Sequence, residues 1–175
     1  MGLIYRCKLI LFGSAAVGKT SIIDRYINNK FEEEYISTLG YNVFEKSIEM
    51  KDENTVNFMI FDIGGQEQFE ELRKKYATGA KSALIVYDIT NKDSFDNIKK
   101  WKKDLDNFTD NAIFILIGNK VDLEDARKIQ KDKGDALAKE IGAVGFFETS
   151  AKTNIEIDNA FHKLAQMYLE KVLSK

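Results

Sequence analysis

The run Gly13-Ser14-Ala15-Ala16-Val17-Gly18-Lys19-Thr20 constrains this chain more than any other feature. It follows the apolar stretch Leu9-Ile10-Leu11-Phe12, which reads as a strand, and it precedes a helical segment. Strand, glycine loop, helix is the setting that a G-x-x-x-x-G-K-[ST] phosphate loop requires. Its glycines let successive backbone N–H groups converge on phosphate oxygens, and the helix N-terminus adds a favourable dipole. At average composition the pattern arises by chance in about one chain per hundred of this length. Lys19 is expected to bridge the β- and γ-phosphates, and the Thr20 hydroxyl to ligate Mg²⁺. The loop implies a nucleoside triphosphate without naming its base.

Further along, short apolar runs alternate with helical periodicity. Val43 to Met50 and Val56 to Phe61 flank the polar turn Lys51-Asp52-Glu53-Asn54 and predict a β-hairpin. Residues 83–87 and 113–117 are continuous apolar runs of the kind buried on both faces of a parallel sheet. Gly145-Phe146-Phe147 offers a sixth, short strand. Phe95, Ile98, Trp101, Leu105 and Phe108 follow helical spacing, with Thr90 and Asp93 resembling a capping box before them. Ile157, Phe161, Leu164 and Tyr168 predict a C-terminal amphipathic helix. This alternation predicts an α/β fold: a six-stranded, mostly parallel sheet with one antiparallel edge strand and helices on both faces. Ligands of such sheets bind at the carboxyl ends of the strands, where the chemical motifs all fall.

Composition removes other classes. The chain has 175 residues, 44% hydrophobic and 31% charged, which fits one globular domain over residues 1–175 and argues against disorder. A net charge of −2 supplies no basic field for nucleic acid. One cysteine, Cys7, and one histidine, His162, leave no disulfide framework and no zinc site built from several of either. No apolar run approaches the roughly 20 residues that span a bilayer.

Asn119-Lys120-Val121-Asp122 ends the run 113–117 and points to the base. A carboxylate accepts two hydrogen bonds from guanine's N1–H and exocyclic amine, whereas adenine presents a lone pair at N1. Leaving Asp122 unpaired against adenine would cost about 1–3 kcal/mol or more. Glu148-Thr149-Ser150-Ala151-Lys152 follows the sixth strand, where its backbone can meet the base's carbonyl oxygen. Asp62-Ile63-Gly64-Gly65-Gln66 ends the third strand. There Asp62 can hold Mg²⁺ through water, Gly65 can donate to the γ-phosphate and Gln66 can orient an attacking water.

Taken in order, Gly13–Thr20, Thr38, Asp62-x-x-Gly65-Gln66, Asn119-Lys120-x-Asp122 and Ser150-Ala151-Lys152 resemble the five motifs of the Ras-superfamily small GTPases. The likeness covers essentially the whole chain and is strongest to the Rab and Ras branches, through segments such as Tyr87-Asp88-Ile89-Thr90 and Phe147 to Lys152. It implies a P-loop NTPase fold, the Ras-like G domain, with GTP/GDP and Mg²⁺ as ligands. It implies nucleotide contacts from Ser14, Ala15, Ala16, Val17, Gly18, Lys19, Thr20 and Ser21 in the loop. Phe31, Tyr35 and Thr38 would contribute from a first switch, Gly65 from a second switch running from Gln66 to about Tyr76, and Asn119, Lys120, Asp122, Ser150, Ala151 and Lys152 around the base. Gln66, Lys19 and Thr38 would carry catalysis, and Thr20, Thr38 and, through water, Asp62 the metal. The expected function is a guanine-nucleotide switch with slow GTP hydrolysis. The second reading is a GTP-bound interaction scaffold with little hydrolysis, and the third an ATP-using P-loop kinase. Expected partners are an exchange factor, a GTPase-activating protein and effectors, with no nucleic acid.

Several positions depart from the family pattern. Ala15 stands where Ras has glycine, Ile63-Gly64 replaces the Thr-Ala of Ras and Rab, and Phe61 stands where Rab proteins usually have tryptophan. The prenylated C-terminal cysteines usual in Rab and Ras are not seen, and Arg6 spoils a myristoylation signal at Met1-Gly2. An unlipidated protein and a missing tail both remain open. A cytoplasmic monomer is expected, with any peripheral membrane contact made through partners or such a tail. Lys99, Lys100, Lys102 and Lys103 read as a solvated helix face, His162 as a surface or packing residue, and Cys7 as a buried apolar one. Glu32-Glu33-Glu34 is either a selector of basic partners or a plain solvated loop.

Overall fold

The computed structural model describes residues 2–175. Six strands form one sheet in the order β2-β3-β1-β4-β5-β6. They span Ile4–Phe12 (β1), Tyr41–Glu49 (β2), Thr55–Ile63 (β3), Ser82–Asp88 (β4), Ile113–Asn119 (β5) and Gly145–Thr149 (β6). Every neighbouring pair is parallel except β2 with β3, which run antiparallel from Tyr41 opposite Ile63 to Glu49 opposite Thr55. The expected hairpin therefore supplies the antiparallel edge. Its turn closes with the Met50 N–H donating to Asn54 O at 2.7 Å.

Side-chain alternation sorts each inner strand between two cores. Leu9 and Leu11 of β1, Leu84 and Val86 of β4, and Ile115 and Ile117 of β5 face one side. There they pack on α1 (Lys19–Asn28) and α6 (Ile157–Leu173), through Ile22, Ile23, Phe161 and Leu164. Ile10, Phe12, Ile85, Tyr87 and Leu116 face the other side. They meet α2 (Glu70–Ala77), α4 (Ile98–Phe108) and α5 (Lys131–Ile141), through Ala77, Trp101, Leu105 and Leu137. Burial on both faces is why these strands read as unbroken apolar runs.

Two details differ from the periodicity reading. The helix expected around Phe95–Phe108 is divided at Asn97 into α3 (Lys92–Asp96) and α4. Asn97 itself keeps helical angles (φ −80°, ψ −5°), and Trp101 N–H still donates to its carbonyl at 3.1 Å. The cap of α3 is Asn91, whose side chain accepts from the Ser94 N–H at 3.1 Å. Thr90 is not the cap, because its hydroxyl and N–H are both committed to Asp88 Oδ1.

Helix α5 crosses the sheet closely at Gly134, where an added Cβ would lie 2.3 Å from the Tyr87 hydroxyl and 2.5 Å from Phe146. Alanine would gain about 1 kcal/mol of helix propensity there, but overpacking a filled site costs about 1–3 kcal/mol. Tyr87 is fully buried and cannot swing away, so the clash wins. Gly134→Ala is expected to lower the urea midpoint of unfolding. The Tyr87 hydroxyl is buried without a partner, so Tyr87→Phe alone should leave the midpoint unchanged or higher, and should recover part of the loss in the double variant.

Candidate functional site

At the carboxyl end of β1 the chain turns through residues 13–18 and enters α1. Gly18 has φ +99°, and a Cβ there would sit 2.3 Å from Asn119 Nδ2, so glycine is required for that close approach. Ala16 also takes a left-handed conformation, φ +65°. Helix α1 has no side-chain cap and no acid in its first turn. Its leading N–H groups are thus free of side-chain acceptors, which suits an anion. Lys19 is 6% exposed, with Nζ donating to Gly13 O at 2.7 Å and Ser14 O at 2.9 Å. Burial pushes its ammonium down to about 8, with Asp62 opposing and Arg73 reinforcing the shift. Two carbonyls compensate that charge poorly, and a phosphate would do so far better.

Beside Lys19 three oxygen-bearing side chains converge from three elements. The Thr20 hydroxyl of α1 donates to Asp62 Oδ2 of β3 at 2.6 Å and lies 2.8 Å from the Thr38 hydroxyl. Asp62 is fully buried, and its Oδ1 has no partner. Burial pushes this carboxyl up, while the Thr20 hydroxyl and the Lys19 charge pull it down. A cluster of hard oxygens around an orphaned carboxylate oxygen fits a small divalent cation such as Mg²⁺.

The third group comes from β5 and β6. Asn119 Nδ2 donates to Val17 O at 3.0 Å and its Oδ1 accepts from the Thr149 hydroxyl at 2.9 Å. Lys120 Nζ reaches Ala16 O and Asp88 Oδ2, each at 2.8 Å. Asp122 Oδ1 accepts from the Ser150 hydroxyl at 2.6 Å, which leaves Oδ2 for another donor. The Ser150 hydroxyl in turn accepts from the Thr153 N–H. The Asn119 and Lys120 bonds tie the end of β5 to the loop 13–18.

All three groups open onto one cleft of about 620 Å³. Its walls include Ala15, Ala16, Gly18, Lys19, Thr20, Ser21, Phe31, Tyr35, Thr38, Gly65, Gln66, Asn119, Lys120, Asp122, Ala151 and Lys152. Ser14, Val17, Asp62 and Ser150 lie behind or beside those walls: Val17, Asp62 and Ser150 are buried, and the Ser14 hydroxyl faces Asn97 at 3.4 Å. Two segments flank the mouth. Glu33 pairs with Lys152 at 3.0 Å, tying the segment 31–39 to the base-side loop. Gln66 Nε2 donates to the Ser37 hydroxyl at 2.9 Å, tying that segment to the one after β3.

Reading by motif missed three arginine and acid contacts. Arg25 of α1 donates to the carbonyls of Ala151 (2.7 Å) and Lys152 (2.9 Å), bracing the base-side loop. Arg127 forms an almost buried pair with Glu148 of β6. Arg73 lies wholly buried beneath residues 64–66. The lysines of α4 form no basic patch: Lys99, Lys100 and Lys102 pair with Glu140, Glu67 and Asp106. His162 is exposed, and Cys7 is buried beside the Ser82 hydroxyl.

The family model described as the Ras family matches residues 8–170. Among curated proteins, the Ras-related protein Rab-10 of Caenorhabditis elegans is 39% identical over 166 residues, covering 94% of this chain and 82% of that protein. Rab-10 of Diplobatis ommata is 41% identical over 165 residues with the same coverages. The Ypt/Rab-type GTPase YPT7 of Saccharomyces cerevisiae is 35% identical over 170 residues, again covering 94% of this chain and 82% of its own length. With the family model spanning residues 8–170 and Rab-type relatives 35–41% identical over 94% of its length, the chain belongs to the Ras family of small GTPases, close to its Rab members.

Proposed function

We propose that this chain is a single G domain that binds GTP or GDP with Mg²⁺, hydrolyses GTP slowly to GDP and phosphate, and signals by the difference between the two forms. The observation that carries this reading is the under-compensated charge at one end of the cleft, where Lys19 meets only carbonyls and Asp62 keeps an unpartnered oxygen. At the other end Asp122 has an oxygen available to read guanine.

In this reading the first N–H groups of α1 and the Lys19 ammonium hold the β- and γ-phosphates. Thr20 and Thr38 hold Mg²⁺ directly and Asp62 holds it through water. The ion supplies charge neutralisation at the phosphates. Gly65 sits against Gly13 and Lys19, where its N–H can donate to a γ-phosphate oxygen. The Gln66 carboxamide orients the water, whose oxygen bonds to the γ-phosphorus as the bond to the β–γ bridging oxygen breaks. The electron pair leaves with GDP and the water's proton ends on inorganic phosphate. Release of the γ-phosphate removes what Thr38 and Gly65 grip, so the segments 31–39 and 66–76 loosen.

The rate follows from what the first of these segments lacks. No arginine lies between Phe31 and Thr38, and Ile36 stands two residues before the threonine. Without an inserted arginine the intrinsic rate should be on the order of 10⁻⁴–10⁻³ s⁻¹. An activating protein would supply that cation, with the exposed Ala15 methyl restricting its approach. An exchange factor and effectors complete the partner set. No helix among the described residues is long and apolar enough to cross a membrane. We place the domain in the cytoplasm as a monomer, with membrane contact peripheral.

Single-turnover hydrolysis tests the reading. Wild type should convert bound GTP at that slow rate, and Gln66→Leu should be slower by about tenfold or more while GTP stays bound. Turnover near 1 s⁻¹ in isolated wild type would contradict it. Base choice gives a separate prediction. Asp122→Asn should shift preference from guanine to xanthine nucleotides by about tenfold or more, because the new amide donates to xanthine's C2 carbonyl. Competition binding measures this, and equal wild-type affinity for ATP and GTP would overturn the assignment. In the cation pocket, Thr38→Ala should leave GDP affinity within about twofold while weakening a non-hydrolysable GTP analogue.

A further inference from the structure

The peptide joining Gly64 to Gly65 has no Cβ on either side to resist its rotation. Neither position has room for a side chain unless its neighbours shift. A Cβ on Gly64 would lie 2.5 Å from the Phe69 ring and 2.7 Å from Thr38 O, and one on Gly65 would lie 2.5 Å from Gly13 O and 2.7 Å from Lys19 Nζ. Close packing thus forces into this position the dipeptide most able to flip. Something must hold its orientation.

Arg73 occupies the place to do so. Its Nη1 donates to Gly64 O at 2.9 Å and to Gln66 O at 2.7 Å, so one nitrogen bridges the carbonyls on either side of Gly65. In a trans peptide the C=O and the next N–H point in opposite directions. Holding Gly64 O on the guanidinium therefore aims the Gly65 N–H away from Arg73. Gly65 itself packs against Gly13, Ala15 and Lys19, the phosphate end of the cleft. The second bond fixes the backbone of Gln66, whose side chain reaches Ser37.

The anchor is built to stay. Arg73 is 1% exposed, and its guanidinium lies 5.0 Å from the centroid of the Trp101 ring of α4, a cation–π contact in a dry setting. Burial lowers its affinity for a proton, opposed by the charges of Asp104, Glu70 and Glu67 around it. Its Nε has no partner, a desolvation cost tolerated while Nη1 holds two carbonyls.

We propose that Arg73 is a positioning residue for GTP hydrolysis, orienting the Gly64–Gly65 peptide toward the γ-phosphate and fixing Gln66 from below. It is not among the residues that line the cleft. The inference rests on the roles proposed above for Gly65 and Gln66.

The test compares Arg73→Met with Arg73→Lys in the intact chain. Methionine keeps the apolar stem but cannot bridge the carbonyls; lysine can, because a single nitrogen makes both bonds. Arg73→Met should lose about tenfold or more in single-turnover hydrolysis, as for one lost oxyanion-type donor. It should also release a non-hydrolysable GTP analogue faster while GDP release stays within about twofold of wild type. Arg73→Lys should recover hydrolysis to within about threefold of wild type. Hydrolysis by Arg73→Met at the wild-type rate would overturn the inference, as would equal loss in the lysine variant. So would faster release of GDP and the analogue alike, the mark of general loosening. Gln66→Leu, run alongside, separates the two levels. If it is slow while Arg73→Met is normal, only this inference falls; if it too is normal, the assignment of Gln66 falls and takes the inference with it.

Discussion

The rest of this molecule is arranged around a buried ammonium without adequate counter-charge. Lys19 is held at the base of the cleft by two backbone carbonyls, with Asp62 near enough to feel but not to pair with it through any hydrogen bond of its own. Burying a charge this way costs free energy unless a strongly anionic partner completes the shell. The sheet provides the depth: β1 and β3 run parallel, so Lys19 and Thr20 at the start of α1, one loop after β1, and Asp62 from the end of β3 arrive at the same edge. A site of this kind is least stable empty and is stabilised by its ligand in proportion to affinity.

The same edge gathers the remaining walls of the cleft. Strands β4, β5 and β6 continue the parallel order on the far side of β1, and their carboxyl ends deliver Asp88, Asn119 and Thr149. Asn119 and Lys120 bond back to Val17 and Ala16, so the end of β5 and the loop 13–18 form one hydrogen-bonded unit. The mouth, by contrast, is closed by few polar contacts: Glu33 with Lys152, Gln66 with Ser37 and Thr38 with Thr20. All three involve a segment with exposed side chains such as Tyr35 and Ile36, which is where low local stability and movement are expected. A rigid floor under a weakly tied mouth suits a protein whose surface follows its ligand.

Much of this was legible in the sequence because it is local. The phosphate loop, the hairpin and the unbroken runs of β4 and β5 each carry their signal within a few consecutive residues. The fold that carries them follows from strand–helix alternation. The misses share a physical cause. Thr90 and Asn91 both offer a capping oxygen three residues ahead of an acceptable partner, and only the turn at Asp88, which takes the Thr90 hydroxyl, decides between them. Arg25 and Arg73 look in sequence like any solvated helical cation. Their roles depend on carbonyls that the fold brings near, 126 positions away for Arg25 and, for Arg73, those of Gly64 and Gln66 in the turn ahead of its own helix. Contacts to backbone atoms leave no residue-type signature in the partner.

On the function proposed above, this cleft is incomplete without a guanine nucleotide and a divalent cation. Protein purified without added nucleotide in Mg²⁺-containing buffer, then denatured and its small-molecule fraction resolved by chromatography, tests that directly. Close to one guanine nucleotide per chain is expected, with loss of that nucleotide when the cation is chelated before denaturation. Protein that is folded and nucleotide-free, or that carries an adenine nucleotide, would contradict it.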